Sequence, residues 1–152
     1  MPLTSLDHYL LQVADLEASK NWYVRVLGME EGPMPDFRVP ACWLYVNGAP
    51  VLHMTVGGKD VSEVRLKYLG QESQATSGSG VIDHVAFKAT GLAETIAHLE
   101  AEGAEFTKRQ VDAEGAFQLF VKGPDGVKIE LNFDVAEAKS AGIEPTLMAS
   151  DL

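Results

Sequence analysis

The spacing of apolar and polar positions in this 152-residue chain predicts short strands and two helices, in an order that occurs twice. The elements predicted in the first half are a strand over 6–13, a helix from Leu16 to Leu27, and strands over 38–46 and 51–56. Asp15 is the expected helix N-cap and Gly28 the expected residue just past its end. Asn47-Gly48 is typical of a two-residue hairpin turn and therefore predicts that the last two strands pair.

The second half repeats this order. Its predicted elements are a strand over 81–89, a helix from Leu92 to Gly103, and strands over 106–111, 116–122 and 127–133. Gly91 takes the place that Asp15 has in the first half, and Ala104 is expected on the apolar helix face. The segment 123–126 (Gly-Pro-Asp-Gly) predicts a tight turn before the last strand.

The two halves are separated by a stretch with little periodic pattern. Within it, 61–69 is compatible with a strand or a short helix, and 71–80 is polar and rich in Ser and Gly. We therefore expect one domain over 1–152, made of a module over 5–70 and a module over 80–133. The remaining tail, 134–152, has an Ala-rich start that is compatible with a helix before Pro145.

Each half thus follows the order strand, helix and about three strands. A single module of this kind leaves one apolar sheet face exposed, and pairing two modules covers it. The expected fold class is α+β, with two sheets that together enclose a cleft.

Composition and charge narrow the function classes. The net charge is −10, which argues against nucleic acid and anionic membrane surfaces as main partners. No apolar run approaches the roughly 20 residues that span a bilayer, and residues 1–5 do not resemble a secretory signal. A cytoplasmic protein with a small-molecule partner is therefore expected by default.

Cys42 is the one cysteine of the chain, so an intramolecular disulfide and a cysteine-built zinc site are excluded. It lies beside Trp43 in a predicted apolar strand. We expect a buried and unreactive thiol rather than a nucleophile.

Four side chains of metal-ligand type occupy equivalent places in the two modules. His8 and His84 lie on the early strands, and His53 and Glu130 lie on late strands at nearly the same distance downstream. A single histidine on an apolar strand is more often a packing or surface residue than a ligand. The repeat favours a metal site, and His with carboxylate suits divalent Fe, Mn, Ni, Co or Zn. His98 lies mid-helix without a counterpart and is expected to be a surface or packing residue.

These features resemble the vicinal oxygen chelate superfamily over about residues 5–133. The resemblance is carried by Leu6-Asp7-His8, by Ile82-Asp83-His84, and by the segment 123–130 (Gly-Pro-Asp-Gly-Val-Lys-Ile-Glu). The superfamily includes glyoxalase I, methylmalonyl-CoA epimerase, extradiol dioxygenases, fosfomycin-resistance proteins and bleomycin-binding proteins. The resemblance implies paired βαβββ modules that form a curved mixed sheet, usually in a homodimer, with a metal ion in the cleft.

By position, the resemblance makes His8 and His84 the early-strand ligands and Glu130 the last-strand carboxylate ligand. In the glyoxalase branch this carboxylate also acts as a base, so Glu130 is the candidate catalytic residue. His53 matches a position that is Glu in glyoxalase I and Gln in the epimerase. Histidine there departs from both patterns, and it gives the site one negative charge fewer than the site of glyoxalase I has.

Three functions remain open on the sequence. Four ligands on an octahedral ion leave two adjacent positions for two neighbouring substrate oxygens, which favours lyase or isomerase chemistry by proton transfer. Without His53, the triad of His8, His84 and Glu130 suits an Fe(II) extradiol-type dioxygenase, although 116–120 lacks the His and Tyr usual in those enzymes.

The third function is a bleomycin-resistance-like binding protein that uses the cleft without metal. Residues compatible with its apolar pocket are Trp43, Tyr45, Tyr68 and Phe117. The filled set of ligand positions favours the metalloenzyme. No basic cluster for glutathione is evident, because the basic residues considered are scattered and are expected to be solvated: Lys59, Arg65, Lys67, Lys108 and Arg109.

Overall fold

A computed structural model describes residues 6–56, 63, 77–80, 82 and 84–151. The chain divides into two compact units, Met1–Gly78 and Ser79–Leu152, and each is described by itself. In the described residues, no helix is both long enough and apolar enough to cross a bilayer. The predicted strand or helix over 61–69 lies outside the described residues, apart from residue 63.

The first unit is a four-stranded sheet with one helix. Its elements are β1 (Tyr9–Val13), α1 (Leu16–Leu27), β2 (Glu30–Gly32), β3 (Ala41–Val46) and β4 (Ala49–Val56). The strand order is β1-β4-β3-β2, with β1 parallel to β4 and the other pairs antiparallel. The sequence did not predict β2. The strand expected over 6–13 begins only at Tyr9, so His8 immediately precedes it.

Local signals set the ends of α1 and the β3–β4 hairpin as predicted. An Asp15 carboxylate oxygen accepts a hydrogen bond from the Ala18 N–H at 2.9 Å. Gly28 has a φ of 69°, a left-handed conformation that glycine adopts without steric cost, and it ends the helix. Asn47 and Gly48 also have positive φ, at 50° and 78°, as a two-residue hairpin of this type requires.

The two faces of this sheet differ in character. Successive side chains of a strand point to opposite faces. Leu44, Leu52 and Met54 share one face and are fully buried, and α1 packs against β3 and β4. Register places His53 opposite Trp43, and both project from the other face. The first unit therefore has a hydrophobic core on one face and polar and aromatic groups on the other.

The second unit is a five-stranded mixed sheet with two helices. Its elements are β5 (His84–Lys88), α2 (Leu92–Ala101), β6 (Phe106–Val111), β7 (Ala116–Lys122), β8 (Lys128–Asp134), α3 (Val135–Ala141) and β9 (Leu147–Met148). The strand order is β5-β8-β7-β6-β9, with the β5–β8 and β6–β9 pairs parallel. The strands predicted over 106–111 and 116–122 have the observed bounds. The expected turn at 123–126 contains a short 3₁₀ segment, Pro124–Gly126, and a second one, Asp112–Glu114, joins β6 to β7.

The C-terminal tail is part of the second unit. Its Ala-rich start forms α3 as predicted, and residues 147–148 add a strand beside β6 that the sequence did not predict. Helix α2 ends at Ala101 rather than at Gly103, so Ala104 lies beyond the helix. Gly91 begins α2 without a capping side chain. Instead, a carboxylate oxygen of Glu137 in α3 accepts hydrogen bonds from the Gly91 and Leu92 N–H groups at 2.9 and 2.7 Å.

The expected α+β class and the repeated strand–helix–strands order are confirmed, in the form of two separate mixed sheets. Both units repeat one geometry. The first strand is parallel to a later one, β1 to β4 and β5 to β8, and that later strand is antiparallel to the strand before it in the chain, β3 or β7. This geometry puts each predicted early-strand histidine beside the strand that carries the second predicted ligand.

Candidate functional site

Strand register gathers polar side chains on one face of the sheet in the second unit. Ala86 of β5 and Phe120 of β7 both lie opposite Glu130 of β8. Alternation along β5 and β8 then brings His84 and Asn132 to the same face. The opposite face carries the apolar core of this unit: Phe117, Leu119, Val121, Ile129, Leu131 and Phe133.

His84 and Glu130 form the centre of this polar face. Nε2 of His84 lies 3.0 Å from Oε2 of Glu130, and the side chains are 37% and 7% exposed, respectively. The histidine therefore meets solvent while the carboxylate is almost fully buried. A buried carboxylate requires compensating hydrogen-bond donors or a cation close to its oxygens.

Two amide side chains hold the other oxygen of Glu130. Nε2 of Gln118 and Nδ2 of Asn132 each donate to Oε1 at 2.7 Å, and Nε2 of Gln118 also donates to Oδ1 of Asn132 at 2.9 Å. Oε1 is thereby satisfied, and Oε2 is left to face His84. The carboxylate is fixed in orientation by neutral groups that do not compete for a metal ion.

Arg109 and Phe120 extend this network across the sheet. Nε of Arg109 donates to Oε1 of Gln118 at 2.7 Å, and the guanidinium carbon lies 4.5 Å from the centroid of the Phe120 ring. Nζ of Lys128 lies 5.9 Å from the same centroid, and the His84 ring meets Phe120 edge-on at 6.0 Å. Arg109 is half-buried and makes specific contacts, so its expected role as a scattered surface charge is wrong.

The first unit brings His8 and His53 together in an aromatic stack. The His53 ring lies between the rings of His8 and Trp43, with centroid distances of 3.8 and 3.9 Å and interplanar angles of 19° and 4°. Nδ1 of His8 also contacts the Asp7 carboxylate at 2.6 Å. The two histidines predicted as ligands in this unit are therefore neighbours.

His53 has an unused nitrogen in a buried position. Its Nε2 is shielded from solvent and has no hydrogen-bond partner among the described residues. Burial lowers the pKa of the ring, and the nearby His8 lowers it further, while a hydrogen bond with the Pro50 backbone and the Asp7 carboxylate oppose the shift. The ring is therefore neutral at neutral pH and keeps a lone pair, as a metal ligand must.

The four candidates fit a divalent ion to different degrees. Two ligands at right angles, each about 2.1 Å from an ion, are about 3.0 Å apart. His84 and Glu130 have this separation, and His53 offers the required lone pair. His8 does not fit in its stacked conformation. Imidazole lone pairs lie in the ring plane, so two nearly parallel stacked rings cannot both direct one at a single ion.

The structure thus assembles two pairs, His8 with His53 and His84 with Glu130. In the described part of the chain, no group of three or more His, Cys, Asp or Glu side chains is close enough together to hold a metal ion. His98 lies exposed on α2, so of the two alternatives it is the surface residue. Cys42 is buried as predicted, and burial raises the pKa of its thiol to about 11.

The apolar pocket suggested for a binding protein is only partly supported by side-chain placement. Phe117 is fully buried on the core face of its sheet, so it does not share a face with Glu130. Phe120, three positions later, lies on the polar face instead. Trp43 and Tyr45 share the His53 face of their own sheet, and the Tyr45 hydroxyl donates to the Pro33 carbonyl at 2.5 Å. Tyr68 lies outside the described residues.

This chain is similar to a known family and to known sequences. The family model described as the Glyoxalase/Bleomycin resistance protein/Dioxygenase superfamily matches residues 5–131. The lactoylglutathione lyase of Salmonella typhimurium is 29% identical over 143 residues, which cover 90% of this chain and 95% of that protein. An uncharacterized Synechocystis protein is 27% identical over 114 residues, or 70% of this chain. That match covers 32% of the Synechocystis protein, so this chain matches about a third of its length.

Solved structures share the fold at lower identity. An integron cassette protein from the mobile metagenome of V. cholerae superposes with a TM-score of 0.62 at 22% identity, covering 88% of this chain and 97% of that one. The genomically encoded fosfomycin resistance protein of Listeria monocytogenes gives 0.63 at 16% identity, covering 86% and 93%. The lactoylglutathione lyase of Agrobacterium tumefaciens gives 0.61 at 17% identity, covering 88% and 96%.

Proposed function

Because this chain belongs to the Glyoxalase/Bleomycin resistance protein/Dioxygenase superfamily, we propose that it is a metal-dependent enzyme of the lyase or isomerase type. It binds a divalent ion through His8, His53, His84 and Glu130, and it takes a small substrate with two neighbouring oxygens. When bound, such an ion stabilises negative charge on those oxygens. The proposal includes a single domain over 1–152 that acts as a homodimer in the cytoplasm.

The arrangement of Glu130 carries this proposal. One oxygen is saturated by Gln118 and Asn132, and the other lies 3.0 Å from Nε2 of His84. A buried carboxylate with one satisfied oxygen and one directed at a histidine suits a ligand pair held ready by neighbouring groups. In a purely structural ion pair, the carboxylate does not need one oxygen bound by amides and the other directed at the histidine.

The same arrangement supports a role for Glu130 in proton transfer. Oε1 already accepts two hydrogen bonds, so Oε2, when it is not coordinated to an ion, would be the atom available to accept a proton from a carbon next to the substrate oxygens. The amide donors hold the carboxylate against rotation, so Oε2 keeps its direction as the proton moves. His84 and solvent share the side of the carboxylate from which a substrate approaches.

His53 and His8 are proposed ligands with different requirements. His53 keeps its position, because its neutral ring already has an unused lone pair. His8 has to leave the stack before its lone pair can reach an ion. Its side chain is 40% exposed and precedes β1, so a rotamer change displaces no core residue.

Metal analysis of protein purified without added metal tests this proposal. We expect about one divalent ion per chain in the wild type and loss of the ion in His84→Ala and Glu130→Ala. His98→Ala is the matched control, since it removes an exposed helical histidine, and it should keep the ion. The metal site would be contradicted if wild type held less than about one ion per two chains and His84→Ala had the same metal content.

Activity assays separate the remaining candidates. Exchange of a substrate proton, on a carbon next to the two neighbouring oxygens, supports the lyase or isomerase function. Oxygen uptake with a catechol supports the dioxygenase triad of His8, His84 and Glu130. Ala116, Gln118 and Phe120 occupy the polar-face positions of 116–120, so neither His nor Tyr is present there. Tight binding of an unchanged ligand by metal-free protein supports the binding-protein alternative.

A further inference from the structure

Phe120 lies on β7, between β8, which carries Glu130, and β6, which carries Arg109. The guanidinium of Arg109 lies over its ring, the Lys128 ammonium lies further out, and His84 meets it edge-on. The Arg109 and His84 distances are measured to one centroid, so these two side chains lie on a common surface within reach of a single small molecule.

The guanidinium of Arg109 is incompletely used. Its Nε donates to Gln118, whereas neither terminal nitrogen has a hydrogen-bond acceptor among the described residues. No described carboxylate forms an ion pair with it. The groups that Arg109 does contact, the Gln118 side chain and the face of the Phe120 ring, are both uncharged. Arginine is rarely half-buried without a counter-charge, because its charge then loses hydration without compensation.

The charge of this face is opposite to that of the whole chain. The chain has 12 basic and 22 acidic residues, with a net charge of −10. On this face of β5, β7, β8 and β6, register places four basic residues and two acidic ones: Lys88, Arg109, Lys122, Lys128, Glu130 and Asp134. An excess of positive charge on one face of an acidic protein attracts anions to that face.

We propose that Arg109 binds a carboxylate of the substrate, so that the substrate class is small carboxylic acids. The planar guanidinium matches a carboxylate with two parallel hydrogen bonds, and its terminal N–H groups are available for them. The substrate carboxylate is distinct from the two oxygens at the ion. Phe120 lies between the two ends, which suits a substrate whose carboxylate is several atoms from its reacting carbon.

Arg109 also links substrate binding to the catalytic carboxylate. It donates to Gln118, and Gln118 donates to Glu130, so two hydrogen bonds join the guanidinium to Oε1. The carbonyl oxygen of Gln118 faces Arg109, which directs its amide nitrogen at Glu130. This inference rests on the proposed function for the role of Glu130, but the anion preference of Arg109 is measurable without turnover.

Benzoate and benzamide are matched probes for this proposal, because they differ in charge and not in shape. Their affinities for the full chain as purified are measured by NMR titration in wild type, Arg109→Gln and Lys122→Gln. Lys122 lies on the same face and pairs with Glu105, so Lys122→Gln controls for the loss of one positive charge. Metal content is measured in each sample.

We expect wild type and Lys122→Gln to prefer benzoate by about tenfold or more, and Arg109→Gln to lose this preference. Equal binding of both probes by wild type, or an unchanged preference in Arg109→Gln, overturns the proposal. If Arg109→Gln does not fold, Arg109→Lys decides the matter. Loss of the planar fork should weaken benzoate binding about threefold or more, and unchanged binding overturns the proposal.

The two proposals fail in different ways. A wild type that lacks metal and still prefers benzoate through Arg109 contradicts the metal-dependent function and leaves the carboxylate site standing. A wild type that holds its metal but does not prefer benzoate contradicts the carboxylate site and leaves the metal-dependent function standing. If Arg109→Gln loses its metal together with its preference, the titration is repeated on wild type stripped of metal. A benzoate preference that survives there supports the assignment to Arg109, and its loss overturns the assignment.

Discussion

Gln118 donates its side-chain amide to Oε1 of Glu130 at 2.7 Å, from the neighbouring strand and on the same sheet face. This contact and that of Asn132 leave Oε2 as the oxygen nearest His84. The orientation of the carboxylate therefore depends on amides that the ligand pattern of the sequence does not contain.

Gln118→Ala should lower metal affinity by about tenfold or more while leaving the fold intact, because groups that orient a ligand have effects of this size. The measurement is competition with a chelator of known affinity, with thermal unfolding as the check on folding. Gln110→Ala is the matched control, since Gln110 lies on the opposite face of the same sheet and bonds Asp112. Equal metal affinities for both variants would contradict the role of Gln118.

His53→Ala tests whether the buried unpaired nitrogen is a ligand. We expect this variant to lose metal affinity about as strongly as His8→Ala, because each removes one of four ligands. The measurement is the metal content after dialysis against a weak chelator, with His98→Ala as the control. Full affinity in His53→Ala together with loss in His8→Ala would show a three-ligand site of His8, His84 and Glu130.

Features with a local cause were predictable from the sequence. Asp15, Gly28 and Asn47-Gly48 act on their own backbone neighbours, so their residue types indicate the structure directly. His84 and Glu130 were singled out as candidates because the repeat makes His84 equivalent to His8, and Glu130 equivalent to His53. By contrast, β2 contains two glutamates and a glycine, and it exists because it pairs with a distant strand.

The rest of the site was hidden because its contacts depend on strand register. Gln118 and Asn132 reach Glu130 from positions that no spacing rule connects. In β6, residues 107–110 are all polar, so alternation does not reveal that Arg109 faces the site. Phe117 and Phe120 are three positions apart in one strand, and only the face that each occupies separates a core residue from a site residue.

Glu137→Ala should destabilise the protein by about 1–2 kcal/mol, because it removes the acceptor for two N–H groups at the start of α2. Glu137→Gln keeps an acceptor oxygen but loses the charge that favours a helix N-terminus, and about half of that cost is expected. The measurement is the free energy of unfolding in urea. Glu100→Gln, at an exposed position of α2, is the control and should be close to wild type.

Cys42 should react slowly with iodoacetamide in the folded protein even at alkaline pH. Burial raises its thiol pKa to about 11, and the nearby Glu31 carboxylate adds to this shift. At pH 9 the thiolate is then only about a hundredth of the total, so the folded protein should react at least about 50-fold more slowly than the chain in urea. Equal rates would contradict the buried environment.

The same shift makes stability depend on pH in a definite direction. Because the folded thiol has the higher pKa, the unfolded chain loses this proton first as the pH rises. Stability should therefore fall between the ordinary thiol pKa of about 8.5 and the folded pKa of about 11, by an amount on the order of 1–2 kcal/mol at pH 10. The measurement compares urea unfolding at pH 8 and pH 10 for wild type and Cys42→Ala, which share every other group that titrates in this range. Wild type should lose more stability than Cys42→Ala, and identical losses would show that the thiol ionises alike in both states.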